Sequence, residues 1–142
     1  MKILKSKIDM KAIQYLNIFE RVTKIKTRYC FEYNSSIIFA VPSYLVPKAI
    51  GENGANVKRL SAIMNRKVKV VAIPSVPSDI ANFIETVVYP VKFKRITIEL
   101  GKVTIQAGPQ AKALVIGRNR VKINRLKYIL ERYFDISQII IK

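Results

Sequence analysis

The sequence predicts an α+β protein made of two copies of one α-β-β-α-α-β unit, each a three-stranded sheet with helices packed on one face. Three observations lead to this fold class. The chain of 142 residues repeats itself once, helical and strand periodicities alternate in the same order in both copies, and 50% of the residues are apolar. That apolar fraction is sufficient for two small hydrophobic cores.

The internal repeat is visible when the chain is compared with itself. A shift of 66 positions places the segment 50–54 on 116–120, and the register continues without a gap. A Pro/Ser stretch over 74–78 marks the boundary, so we expect one unit over 1–74 and the second over 75–142. Because this stretch is too short to act as a free linker, we expect the units to pack rigidly together. Further matched pairs are Arg59 with Arg125, Leu60 with Leu126, Ile63 with Ile129, and Arg66 with Arg132.

The first unit should begin with an amphipathic helix. Ser6-Lys7-Ile8-Asp9 has the pattern of a capping box, which satisfies backbone N–H groups at a helix N terminus. Apolar residues then recur at helical spacing, which predicts a buried stripe. The stripe consists of Ile13, Leu16, Phe19 and Val22.

A β-hairpin should follow, because the period changes to two from Thr27 onward. The segment 34–36 has turn composition, and 37–41 is an apolar strand. Beyond Pro42 we expect a short helix, a glycine loop, a helix over 55–65 and a strand over 68–73. The stripe predicted for the longer helix is Val57, Leu60, Ile63 and Met64. The hairpin residues expected in the core are Tyr29, Cys30, Phe31, Tyr33 and Phe39.

The second unit should repeat this order. A helix should start near Ser78 and stop before Pro90. We expect strands over 91–100 and 103–107 joined by a turn at Gly101-Lys102, then helix, loop and helix, and a last strand over 136–141.

The charge balance indicates a polyanionic partner. The chain has 26 Lys and Arg against 9 Asp and Glu, for a net charge of +17. A lysine-rich thermophile surface would carry acidic residues in similar number, and an anionic membrane surface would call for a one-sided basic helix. No apolar run is long enough to span a bilayer and lysines interrupt the N-terminal segment too early for a signal peptide, so we expect a cytoplasmic location without membrane association.

Catalysis and metal binding are not expected from this composition. The chain has no histidine and one cysteine, and its acidic residues are scattered rather than paired. General acid-base work and metal binding need such groups together. We therefore expect no enzyme, no metal site and no cofactor.

The repeated segment contains a Gly-x-x-Gly loop between two helices, over 51–54. Glycine permits positive φ and close approach to the backbone, and exposed amides at a helix start favour an anion such as phosphate. A helix-ending glycine produces the same pattern without any ligand. Recurrence one period later in a basic chain favours the phosphate interpretation.

With this loop in place, the chain resembles the prokaryotic-type KH domain over residues 6–142. Two such units in succession, with Phe19-Glu20, the run 47–54, Pro90-Val91 and Phe134-Asp135-Ile136, resemble the archaeal NusA-like transcription factors. The resemblance implies tandem type II KH units that bind single-stranded nascent RNA in transcription elongation, termination or antitermination. It also implies RNA polymerase as a partner, and we expect a monomer.

Departures from the motif predict two unlike loops. Glu52 stands where the KH family prefers a basic residue, and in the second loop Arg120 replaces the closing glycine while Arg118 adds a further guanidinium. We expect the double substitution Gly54→Asp/Gly117→Asp, which adds two negative charges, to weaken binding of single-stranded RNA without changing the circular dichroism spectrum. The candidate RNA-binding residues are Lys48, Gly51, Glu52, Asn53, Gly54, Lys58, Arg59, Gly117, Arg118, Asn119, Arg120, Lys122 and Arg125.

Two alternatives to a transcription role stay open. KH units also occur in ribosome assembly and translation. A polymerase-associated adaptor with weakened RNA binding would be consistent with the altered second loop, although the charge of +17 argues against it.

Overall fold

A computed structural model describes residues 7–142, with side chains described from Met10 onward. The chain divides into two compact units between Ile73 and Pro74. The predicted capping box at Ser6-Lys7-Ile8-Asp9 lies outside the residues whose side chains are described. The packing of one unit on the other stays a prediction from the sequence.

The first unit has the predicted element order. Helix α1 (Lys7–Thr23) precedes the hairpin β1 (Tyr29–Tyr33) and β2 (Ser36–Val41), and α2 (Val46–Ile50), α3 (Ala55–Met64) and β3 (Lys67–Ala72) complete it. Strand β2 lies in the middle of the sheet, antiparallel to β1 and parallel to β3. A parallel pair needs a crossover connection, which α2, the glycine loop and α3 supply.

The helices of the first unit pack on one face of its sheet. The ring of Phe19 in α1 stacks on Phe39 in β2 with centroids 4.4 Å apart, and Leu60 of α3 joins the same core. Cys30 is buried as predicted, and burial raises the pKa of its thiol to about 12. The predicted core aromatics Phe31, Tyr33 and Phe39 are buried, whereas Tyr29 is half-buried.

The prediction of a buried stripe is wrong for one residue in each of the two helices. Ile13 of α1 is 41% exposed and Ile63 of α3 is 53% exposed. In α3 the buried arc is narrow, because Leu60 alone is fully buried and Val57 and Met64 are half-buried beside it. A short helix covering a three-stranded sheet therefore uses fewer positions than its apolar pattern indicates.

The second unit repeats the topology. Its elements are α4 (Asp79–Val88), β4 (Arg95–Glu99), β5 (Lys102–Gln106), α5 (Pro109–Ile116), α6 (Val121–Phe134) and β6 (Gln138–Ile141). The central strand β5 pairs antiparallel with β4 and parallel with β6. Phe83 of α4 meets Phe134 of α6 edge-on at 4.7 Å.

Strand boundaries in the second unit differ from the prediction. Strand β4 begins at Arg95 rather than at position 91, because Arg95 pairs with Gln106 and β5 ends there before the chain enters α5. The β4–β5 turn lies at Leu100-Gly101, one residue earlier than predicted, with both residues at positive φ. Strand β6 begins at Gln138, since the Ile136 amide donates to the Leu130 carbonyl at the end of α6.

The described chain is thus α+β, with six α-helices and two three-stranded mixed sheets, and fits a KH-like fold. None of the helices within residues 7–142 combines the length and apolarity that a bilayer crossing requires.

Candidate nucleic-acid interface

The first loop is a tight connection between α2 and α3. Gly51 ends α2 with its N–H donating to the Pro47 carbonyl at 3.0 Å, and Gly54 donates back to the Gly51 carbonyl at 3.1 Å. Gly51 has φ 82° and ψ 167°, Asn53 φ 54° and ψ 28°, and Gly54 φ 73° and ψ 20°. Three of the four loop residues therefore have positive φ, and Gly54 lies at the N terminus of α3.

The second loop has the same backbone conformation. Gly117 has φ 74° and ψ 171°, Asn119 φ 56° and ψ 25°, and Arg120 φ 60° and ψ 20°. The hydrogen bonds also match, since Gly117 donates to the Ala113 carbonyl at 3.0 Å and Arg120 to the Gly117 carbonyl at 3.2 Å. Replacement of the closing glycine by arginine has left the loop backbone unchanged.

The two glycines of the first loop have different roles. A Cβ atom on Gly51 would lie 2.9 Å from the Asn56 amide nitrogen, whereas one on Gly54 would have no atom within 4 Å. Gly51 is therefore required by the fold of the helix pair. Gly54 leaves open space in front of the loop, where a phosphate could approach.

Gly117 is a structural residue like Gly51. A Cβ atom there would lie 2.9 Å from Cγ of Lys122. The Gly117→Asp half of the expected double substitution would thus disturb packing as well as add a negative charge. The conformation of the loop makes Gly54 the better position for that test.

The predicted residues of the first unit surround its loop. Lys48 is exposed on α2, Glu52 and Asn53 are exposed at the loop tip, and Lys58 and Arg59 are exposed on the first turns of α3. The Asn56 Nδ2 group donates to the Lys48 carbonyl at 3.1 Å and so joins the two helices. Glu52 places a carboxylate at the loop tip among these cations.

The predicted residues of the second unit fall into two groups. Arg118, Asn119 and Arg120 are exposed at the loop tip, with two guanidinium groups in three residues. Lys122 and Arg125 are half-buried on α6. The stem of Lys122 packs beside Gly117, and the Arg125 guanidinium lies 5.3 Å from the centroid of the Tyr128 ring.

The candidate RNA-binding residues predicted from the sequence do not include Asn56, Tyr128 or Arg132. Asn56 follows Gly51 at the same distance as Lys122 follows Gly117, so the repeat indicates a position that packs against the first glycine. Tyr128 and Arg132 follow Arg125 at helical spacing, and the Arg132 guanidinium lies 5.9 Å from the Tyr128 centroid. The pattern of an aromatic residue between two arginines on one helix face could have found them.

Comparisons with known proteins agree with the fold. No protein-family model matches the chain. The chain is 23% identical over 139 residues to the "Probable transcription termination protein NusA" of Thermoplasma acidophilum, with 95% of this chain and 94% of that protein aligned. The solved structure described as "Crystal structure of APE1850" matches with a TM-score of 0.60 and 23% identity, covering 94% of this chain and 99% of that one. The chain thus shares its fold with a solved structure and is similar, over nearly its whole length, to a probable NusA.

Proposed function

We propose that this chain is a NusA-like RNA-binding protein of transcription elongation, termination or antitermination, and is not an enzyme. Two tandem type II KH units bind single-stranded nascent RNA through their loops. The observation that carries the proposal is the common backbone conformation of the loops over 51–54 and 117–120. The φ and ψ angles differ by less than about 20° between Gly51 and Gly117, and likewise between the third residues and between the fourth residues of the two loops. Two copies of one anion-binding conformation in a chain of net charge +17 fit a polyanionic strand.

The type II assignment is supported by the element order and by the sheet. Each unit runs α-β-β-α-α-β, and each sheet pairs its central strand parallel to the last one. The similarity to a probable transcription termination protein NusA supports a role in transcription and makes RNA polymerase the candidate protein partner. This function implies a cytoplasmic location.

The two loops hold phosphate in different ways. At the first loop a phosphate approaches the open side of Gly54 and the amides at the start of α3, and a KH loop of this kind clamps about four nucleotides. At the second loop the Arg120 side chain occupies the position that Gly54 leaves open, so phosphate binds mainly to the Arg118 and Arg120 guanidiniums. The second contact is more electrostatic and hence more sensitive to salt.

Crosslinking the protein to RNA in cells, followed by sequencing of the bound RNA, tests this function. We expect nascent transcripts to be enriched over ribosomal RNA. Enrichment of ribosomal RNA would support ribosome assembly or translation instead. Omitting the crosslinking step provides the control for RNA that associates after lysis.

The adaptor function has one observation in its favour, which is the loss of open space at the second loop through Arg120. An adaptor would bind polymerase with only weak affinity for RNA. Titration of a fluorescent single-stranded RNA in low salt separates the two functions, since the proposed function requires saturable binding.

A further inference from the structure

Helix α6 carries an aromatic residue between two arginines outside the loops. Tyr128 is 40% exposed, and the guanidinium carbons of Arg125 and Arg132 lie 5.3 and 5.9 Å from its ring centroid. Both distances are within the range at which a cation is attracted to an aromatic face. The Arg132 guanidinium also lies 5.6 Å from the centroid of the Tyr133 ring, and both arginines are half-buried. The cluster therefore combines an exposed ring with two partly exposed planar cations.

This cluster belongs to a continuous stripe along the outer side of α6. Residues 121, 125, 128 and 132 are three or four positions apart and so share one face of the helix. We call Val121, Arg125, Tyr128 and Arg132 the α6 stripe. Its first residue, Val121, is 64% exposed and directly follows Arg120 of the second loop. The buried side of α6 is formed by Ile123, Leu126, Ile129 and Leu130.

The first unit has counterparts of both arginines of the stripe, Arg59 and Arg66, but not of its aromatic ring. Ala62 stands 66 positions before Tyr128, so the first unit lacks the ring. The counterpart of Arg132 is Arg66, which forms an ion pair with Glu32 at 2.9 Å. Because the repeat keeps the helix but not the aromatic residue, the ring is not required by the fold of the unit.

We infer that the α6 stripe is a base-stacking site for the RNA strand that leaves the second loop, an inference that rests on the proposed function. A base stacks on the exposed surface of Tyr128 and its neighbouring guanidinium planes, while Arg125 and Arg132 bind the flanking phosphates. Aromatic rings and guanidinium planes accept any base, since every base has a π face. Tyr128 lies eight residues beyond Arg120, or about 12 Å along the helix, so one strand can reach both.

Charge favours RNA over a protein surface as the occupant. The acidic residue of α6 is Glu131, which at 100° per residue lies on the flank of Tyr128 away from both arginines. The stripe is therefore continuous with the cationic loop tip formed by Arg118 and Arg120. Single-stranded nucleic acid binds to this combination of stacking surface and cations.

The chain contains no tryptophan, so one introduced by substitution is the only source of indole fluorescence and reports directly on the site. In Tyr128→Trp we expect the indole emission to be quenched when a single-stranded octanucleotide binds, with the same dissociation constant that fluorescence anisotropy of a labelled RNA gives. Leu100→Trp is the matched control, since Leu100 is 98% exposed at the β4–β5 turn and outside the stripe. Its emission should not change.

The length of the RNA separates the stripe from the loop. A tetranucleotide fills one loop, so its affinity should be the same in Tyr128→Ala and in the unchanged protein. An octanucleotide should bind Tyr128→Ala between about fivefold and a hundredfold more weakly, and Tyr128→Phe should retain its affinity. If RNA binds but neither the indole emission nor the octanucleotide affinity responds, the stacking site is wrong and the proposed function stands. If the unchanged protein binds no RNA, both are wrong.

Discussion

Arg120 has the left-handed backbone conformation that Gly54 has in the other unit, with φ/ψ of 60°/20° against 73°/20°. An L-residue other than glycine in this conformation is strained by about 1–2 kcal/mol. The second unit therefore keeps the loop geometry at a cost in stability and gains a guanidinium at the loop tip. The stability of the loop therefore does not explain arginine at this position.

Replacing Arg120 by glycine should have opposite effects on stability and on RNA binding. We expect Arg120→Gly to raise the free energy of unfolding by about 1 kcal/mol, because the backbone strain is relieved. The affinity for single-stranded RNA should fall, because a phosphate contact is lost. Urea unfolding followed by circular dichroism and an RNA titration measure the two effects. Arg120→Lys is the control, since it keeps both the strain and a positive charge.

A negative charge introduced at Gly54 should weaken RNA binding without unfolding the first unit. A side chain there meets no atom within 4 Å, and both Asp and Asn tolerate positive φ better than other residues. We expect Gly54→Asp to lower the affinity at least tenfold, since a carboxylate then occupies the phosphate position. Gly54→Asn has nearly the same size without the charge and should bind more tightly than Gly54→Asp. Equal affinities of the two variants would contradict a phosphate contact at this position.

Alanine substitutions should rank the three loop glycines by stability. Gly51 and Gly117 combine a positive φ with ψ near 170°, a conformation that only glycine adopts readily, with strain of about 1–3 kcal/mol for other residues. Gly51→Ala should cost most, since its Cβ would also meet the rigid Asn56 backbone, whereas at Gly117 the neighbour is the flexible stem of Lys122. Gly54→Ala should cost least. Urea midpoints would contradict this ranking if Gly54→Ala were the least stable variant.

Much of the fold could be predicted because the repeat constrains it twice. The position of both loops, the element order and the burial of Cys30 follow from periodicity and from the alignment of Gly51 with Gly117. The strand ends in the second unit could not be predicted in the same way. Leu100 is apolar like the residues of the predicted strand, yet it lies in the turn with φ 47°. Its place is fixed by the strand register, because Glu99 pairs with Lys102.

The candidate site was predictable only in part. Sequence patterns identify which residues are basic and lie near the loops, but not what their side chains contact. The charge of Lys122 predicts a phosphate contact, but not that its stem packs beside Gly117. Helical spacing places Tyr128 on one helix face with Arg125 and Arg132, but the contacts of its ring with them depend on side-chain direction, which the sequence does not give.

Alkaline pH should destabilise the first unit through two buried groups. Burial raises the pKa of Cys30 from 9.0 and that of Tyr33 from 10.0, both to about 12. The folded protein then holds protons that the unfolded chain releases, so the stability contribution is complete below about pH 9 and is lost as pH rises towards 12. We expect the free energy of unfolding to fall less steeply over this range in Cys30→Ala/Tyr33→Phe. Lysine ionisation affects both proteins and cancels in the comparison.

Salt should weaken RNA binding in proportion to the number of phosphates held. The logarithm of the association constant should fall linearly with the logarithm of salt concentration, with a slope of roughly −0.7 per phosphate. We expect the Arg118 guanidinium to contact one phosphate, so Arg118→Gln should make the slope of this salt dependence shallower by about 0.7. Glu32→Gln is a control on the sheet, where the carboxylate pairs with Arg66, and its slope should equal that of the unchanged protein.

The parallel pairing of β2 with β3 has a consequence for synthesis on the ribosome. All six residues of β2 are buried in the folded chain, and the edge of β2 that does not pair with β1 is covered by β3, which begins at Lys67. At about 5–20 residues per second, the chain between Val41 and Lys67 takes roughly one to five seconds to emerge. During that interval the unpaired backbone N–H and C=O groups along the edge of this apolar strand can pair with another chain. Protection of the nascent chain by a chaperone is therefore most valuable before β3 has been made.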